Sequence, residues 1–100
     1  MNPKIFKAYD IRGKYPEEIN VRVVKTISGA LARFFKSGKV VLGHDIRFGS
    51  PELCRAAGER LKRVNPKLKV IDAGLMTTPM LYFLVNYFRA SGGLMVTASH

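Results

Sequence analysis

Tryptophan is absent from these 100 residues, cysteine occurs once and histidine twice. The single thiol, Cys54, can neither build a disulfide framework nor anchor a zinc site by itself, and two histidines are too few for an all-protein metal cage. Long hydrophobic runs are lacking too: the longest, Met80 to Val85, has six residues. A membrane-spanning helix needs roughly 20, so no membrane is expected among the partners. The opening Met1-Asn2-Pro3-Lys4 lacks the apolar core of a secretory signal, which makes the cytoplasm the expected compartment. Acidic residues are scarce, seven against seventeen Lys plus Arg, for a formal charge of +10. That imbalance favours an anionic substrate or partner; it says nothing about fold.

What is present is globular. With 47% hydrophobic residues the chain can bury a core, and its length allows one domain. Hydrophobic periodicity switches repeatedly between two and about 3.6 residues, the mark of alternating strands and helices. An extended start around Ile5 to Tyr9 leads into a turn-rich patch, Asp10-Ile11-Arg12-Gly13-Lys14. Asn20 caps a helix running to about Ser37, with Val24, Ile27, Leu31 and Phe34 as its inner stripe and Gly38 as its stop. Val40-Val41-Leu42 reads as a buried strand. Ser50-Pro51-Glu52 opens a second helix with Leu53, Ala57, Leu61 and Val64 inward, and Asn65-Pro66 ends it.

Val70 to Ala73 is the next strand. Thr78-Pro79 caps a third helix, through about Arg89, that is apolar almost all round and so must be covered on more than one side. Leu94-Met95-Val96 is the last strand, ending at Thr97-Ala98-Ser99. Strands joined by helical connections are parallel with right-handed crossovers, so the expected fold is α/β: helices on both faces of a mainly parallel sheet. The chain stops directly after this strand, which reads as the end of a piece.

In open parallel sheets, ligands bind beyond the carboxyl ends of the strands, where strand order reverses. The segments there are Gly43 to Ser50 with Asp45 and Arg47, Gly74 to Thr78, and Thr97 to His100. If the strands at Val40 and Leu94 are neighbours, two of these share a basic crevice with Ser99 at its edge. Arg12 beside Gly13 suits phosphate oxygens, because the guanidinium fork matches them and glycine lets the backbone approach. Asp10 and Asp45 could pair as carboxylates, although Asp in turns more often bonds local backbone. No nucleophile elbow surrounds Ser99, and His100 beside it points the other way in an extended chain. Rings beside basic residues, as in Arg33-Phe34-Phe35-Lys36, would suit base stacking, but most lie on apolar helical faces; core packing outweighs nucleic-acid binding.

Four segments together resemble the N-terminal domain of the α-D-phosphohexomutases, the phosphomannomutase/phosphoglucomutase family. They are Ala8-Tyr9-Asp10-Ile11-Arg12-Gly13; Gly43-His44-Asp45-Ile46-Arg47 with Ser50-Pro51-Glu52-Leu53; Asp72-Ala73-Gly74-Leu75-Met76-Thr77-Thr78-Pro79; and Gly92-Gly93-Leu94-Met95-Val96-Thr97-Ala98-Ser99-His100. They occur in order and span essentially the whole chain. The resemblance implies a three-layer α/β/α first domain, ending here before its last strand. It implies an enzyme interconverting hexose 1- and 6-phosphates, with Ser99 as the phosphorylated serine, Arg12 beside that phosphate, Tyr9 lining the sugar pocket and His100 positioning the reacting groups. It also implies Mg²⁺ on the phosphoserine oxygen of Ser99 and on aspartates of a later domain, a glucose 1,6-bisphosphate-type activator, a phosphosugar substrate, and the remaining domains of the same enzyme as partners. This chain alone would then be inactive. His44 departs from the family, which commonly has arginine there. Two other classes compete: a small basic nucleic-acid-binding module, and a non-catalytic fragment that docks through Met80 to Phe88.

Overall fold

The computed structural model describes residues 7–14, 17–35, 37–45 and 50–99. Their order is β1 (Lys7–Lys14), α1 (Val21–Phe35), β2 (Gly38–His44), α2 (Ser50–Val64), β3 (Leu68–Leu75), α3 (Thr78–Tyr87) and β4 (Gly92–Ser99). The strands form one four-stranded sheet in the order β1-β4-β2-β3, with every pair parallel. Handedness explains the layers. The connections β1→β2 and β2→β3 advance in the same direction across the sheet, so right-handed crossovers put α1 and α2 on one face. The step β3→β4 runs back, and the same hand sends α3 to the other face. The result is α/β/α, as expected.

Two cores follow from the two-residue period of the strands. Val40 and Leu42 of β2, with Leu94 and Val96 of β4, point to the α1/α2 side and pack with Val24, Leu53 and Leu61. Val41 and Met95 point the other way, onto Leu81, Val85 and Met76. At Gly93 the sheet meets α3 with no room for a side chain: a Cβ there would lie 2.7 Å from Val85 Cγ2 and 3.1 Å from Leu81 Cδ1. Gly38, at φ +103°, adopts the left-handed conformation that a glycine tolerates, and Ser91 Oγ fills the place of its missing Cβ while bonding Ser37 O at 2.9 Å.

The structure corrects three local expectations. Residues 10–14 are not a turn. They continue β1, paired with β4 from Lys7↔Gly92 to Lys14↔Ser99, because Tyr9 and Ile11 alternate inward and β4 needs a second neighbour. The inner face of α1 is turned about one position from the apolar stripe. Val24, Ser28, Gly29, Ala32 and Phe35 are buried, whereas Ile27 and Phe34 are exposed. The buried face holds the small residues Ser28, Gly29 and Ala32, and Gly29 lies against Val64 and the Arg60 stem of α2, where a Cβ would meet them at 3.7–3.9 Å, ordinary contact distance. The cap of α3 is Thr77, not Thr78; its Oγ1 accepts from Met80 N at 3.3 Å, with Pro79 in the first turn. Asn20 caps α1 as expected, its Oδ1 accepting from Val23 N at 3.0 Å.

Among the described residues α3 is buried only on the Leu81/Val85 side. Met80, Tyr82, Phe83 and Tyr87 are exposed, and the Phe83 and Tyr87 rings stack with centroids 5.9 Å apart. No helix among the described residues is long and apolar enough to cross a membrane.

Candidate functional site

β2 and β4 are indeed adjacent, in the register Val40↔Gly92 to His44↔Val96, and Asp45, just after β2, donates its N–H to Val96 O of β4 at 3.3 Å. A cleft of about 560 Å³ lies on the α3 side of these carboxyl ends, where Arg12, Asp45, Thr77, Thr78 and Thr97 face Leu75, Met76, Met80 and Met95. Arg12 reaches it from β1, and Thr97 from β4, because their Cα positions are register partners. Ser99 is the last residue of β4, its Cα paired with that of Lys14, two positions beyond Thr97 on the same strand.

Asp10 organises this corner. Its Oδ2 accepts from Arg12 Nη2 at 2.8 Å and its Oδ1 from Thr97 Oγ1 at 3.2 Å. A carboxylate only accepts, so each oxygen holds a different donor. The hydrogen bond to Asp10, then that residue's charge and to a lesser degree Asp45, raise the Arg12 guanidinium above its already high ordinary value. It is a permanent cation at the mouth of the cleft. Asp10 thus bonds side chains across two strands, not the local backbone that a turn would have offered, and it does not pair with Asp45.

The other predicted residues are distributed as follows. Tyr9 points to the α1 side of the sheet, edge-on to Phe34 and Phe35 at 6.4 and 6.0 Å, beside a separate hollow of about 380 Å³ that Arg12 also borders. The structure brings Arg12, Asp45 and Thr97 together and leaves the Tyr9 ring outside their cleft. His100 and Arg47 lie outside the described residues. His44 Nδ1 lies 2.8 Å from Asp45 O; a carbonyl cannot donate, so Nδ1 carries the proton of this hydrogen bond. Cys54 is buried against Gly43 O, and burial, with the charge of Asp72 added, pushes its thiol up to about 12, so it stays protonated near neutral pH. Among the described residues no group of three or more His, Cys, Asp or Glu could hold a metal ion.

Sequence reasoning missed Asp10 as the partner of Arg12, and gave the Thr97 side chain no role of its own. The signal was the spacing: on a strand, positions 10 and 12 share a face. Reading them as a turn hid it.

Comparison with known proteins matches these features to one group. A family described as phosphoglucomutase/phosphomannomutase, alpha/beta/alpha domain I, fits residues 3–100. Similar curated proteins include "Phosphohexose mutases" of Xanthomonas campestris pv. campestris, 47% identical over 95 residues, which are 95% of this chain and 21% of that protein. A "Phosphomannomutase" of Escherichia coli is 41% identical over 95 residues, 95% of this chain and 20% of that protein. One of Klebsiella pneumoniae is also 41% identical over 95 residues, covering 59% of its length. The chain therefore spans about a fifth of the length of the first two relatives. Its layered parallel sheet, and a match that runs across nearly every residue, place the chain in the phosphoglucomutase/phosphomannomutase family as an alpha/beta/alpha domain I.

Proposed function

We propose that this chain is the phosphoserine-bearing domain of a phosphohexomutase acting on mannose or glucose phosphates. The observation that carries this reading is the fixed cation: Arg12, clamped by Asp10 at the carboxyl end of β1, beside the strand that ends at Ser99. In the reaction, a sugar hydroxyl attacks the phosphorus of phospho-Ser99. The serine O–P bond breaks, a sugar O–P bond forms, and the hydroxyl proton ends on the serine oxygen. The bisphosphorylated sugar turns over and returns its other phosphoryl group to Ser99 by the reverse exchange, completing a transfer between positions 1 and 6. A glucose 1,6-bisphosphate-type activator recharges an empty serine in the same way.

Phosphoryl transfer asks a protein for alignment and for positive charge around the moving group. Arg12 supplies that charge, and the surplus of basic residues draws anionic sugars toward the domain. His100 follows Ser99 directly and would help orient the reacting groups; Tyr9 would meet the sugar from the far side of β1. Mg²⁺ would neutralise charge on the phosphoryl oxygens. Its carboxylate ligands would come from the remaining domains of the enzyme. Those domains also supply sugar recognition, and the bare rings of α3 are the surface they would cover.

The test is turnover. This chain is joined to the rest of the Escherichia coli phosphomannomutase, in place of that protein's matching 95 residues, and assayed with hexose 1-phosphate and Mg²⁺. The chimera forms hexose 6-phosphate and the chain by itself does not. A folded but idle chimera, or turnover by the chain alone, would refute the reading.

A further inference from the structure

We propose that Asp10 is a positioning residue whose two carboxylate oxygens fasten the Arg12 guanidinium to the strand carrying Ser99. The inference rests on the function proposed above and assigns a role to a side chain that does not itself meet the sugar.

Arg12 by itself is poorly held. Its side chain is 64% exposed, and an exposed ion pair with one carboxylate holds a long side chain only loosely. A charge that wanders among rotamers makes a poor electrostatic clamp, since stabilisation of a transferring group depends on donors already in place. The second oxygen of Asp10 changes this. It accepts from Thr97 Oγ1, and Thr97 is only 7% exposed, so the carboxylate is anchored to a buried position of β4. β1 and β4 are in register here, Arg12↔Thr97 and Lys14↔Ser99. The chain of contacts guanidinium–carboxylate–hydroxyl therefore spans the strand pair two positions before the serine. It ties the cation to the strand whose end must deliver the phosphoryl group.

The chemistry of the carboxylate makes the idea separable from simple packing. Asp10→Asn has nearly the same shape but no charge, so even where its amide N–H₂ donates to Thr97 Oγ1 the charge-assisted hold on Arg12 is lost. Thr97→Val removes the hydroxyl and leaves the Arg12–Asp10 pair. Thr97→Ser restores the donor.

Two measurements test it. In the chimera, single-turnover transfer from phospho-Ser99 to hexose phosphate slows roughly 10–100-fold in Asp10→Asn and in Thr97→Val with KM little changed, the scale of loss that follows misplacement of a positioned group. The double variant is no slower than the slower single one, because both break one tie, and Thr97→Ser transfers at close to the parent rate. In the 100-residue chain itself, the Arg12 side-chain NMR signals show hindered guanidinium rotation in the parent and Thr97→Ser. They show free rotation in Asp10→Asn and Thr97→Val. Parent-like transfer in Asp10→Asn while Arg12→Ala is slow, failure of Thr97→Ser to restore the rate, or identical guanidinium signals in all four proteins would overturn the proposal. A parent chimera whose Ser99 never takes a phosphoryl group would instead sink the proposed function, and the NMR comparison would still decide the clamp.

Discussion

Arg12→Ala in the chimera slows hexose phosphate interconversion by about 10²–10³-fold, the usual consequence of removing one preorganised charge from a transferring phosphoryl group. Thermal unfolding is expected to be almost unchanged. Arg12 is solvent-exposed at the end of β1, and its described polar contact is the ion pair with Asp10; exposed pairs of this kind contribute little to folding. Loss of activity without loss of structure separates a catalytic cation from a structural one. Arg12→Lys recovers only part of the rate, since an ammonium keeps the charge but lacks the planar fork that meets Asp10 and a phosphoryl oxygen at once. Steady-state kinetics and a melting curve on the same preparations read both predictions. An Arg12→Ala protein that unfolds, or one that turns over normally, would contradict the role given to it.

The largest stability effect is expected on β4. Leu94→Ala removes a fully buried side chain from the central strand pair, where it packs in the larger core with Leu42, Leu53 and Leu61. Neighbours anchored in a sheet and two helices relax only partly, so a cavity remains and the cost is about 2–5 kcal/mol. A domain of this size has about 5–15 kcal/mol in total, and each kcal/mol lowers its melting midpoint by roughly 4–8 °C. Phe34→Ala is the control: its ring lies half in solvent, against Tyr9 and Phe35, and its loss should lower the midpoint far less. Denaturant unfolding monitored by circular dichroism distinguishes the two. Equal losses would mean that β4 is not the centre of the core.

Much of this was legible in the residues, and the failures have physical causes. β2 and α2 were readable because a β-branched run between Lys39 and Gly43, and Leu53, Ala57 and Leu61 at helical spacing, have one sensible burial each. β1 was not. Gly13 beside charged residues carries turn chemistry, and only the pairing with β4, eighty-five residues away in sequence, makes the segment extended. The face of α1 failed for a related reason. Apolar spacing favours Ile27 and Phe34, but the buried face is the one that carries the small residues Ser28, Gly29 and Ala32. The site divides in the same way. Arg12 was legible as a candidate phosphate ligand by residue type, whereas the link from Asp10 to Thr97 is a contact across 87 residues. No local pattern encodes it; strand order does.

In the proposed reaction Ser99 carries the migrating phosphoryl group. Peptide mass mapping of the chimera after exposure to glucose 1,6-bisphosphate tests it directly. One added phosphoryl group on the peptide containing Ser99, absent in Ser99→Ala and removed on adding hexose phosphate, is the predicted result. A chimera that interconverts hexose phosphates while that peptide stays unmodified, or that carries the group on another residue, would contradict it.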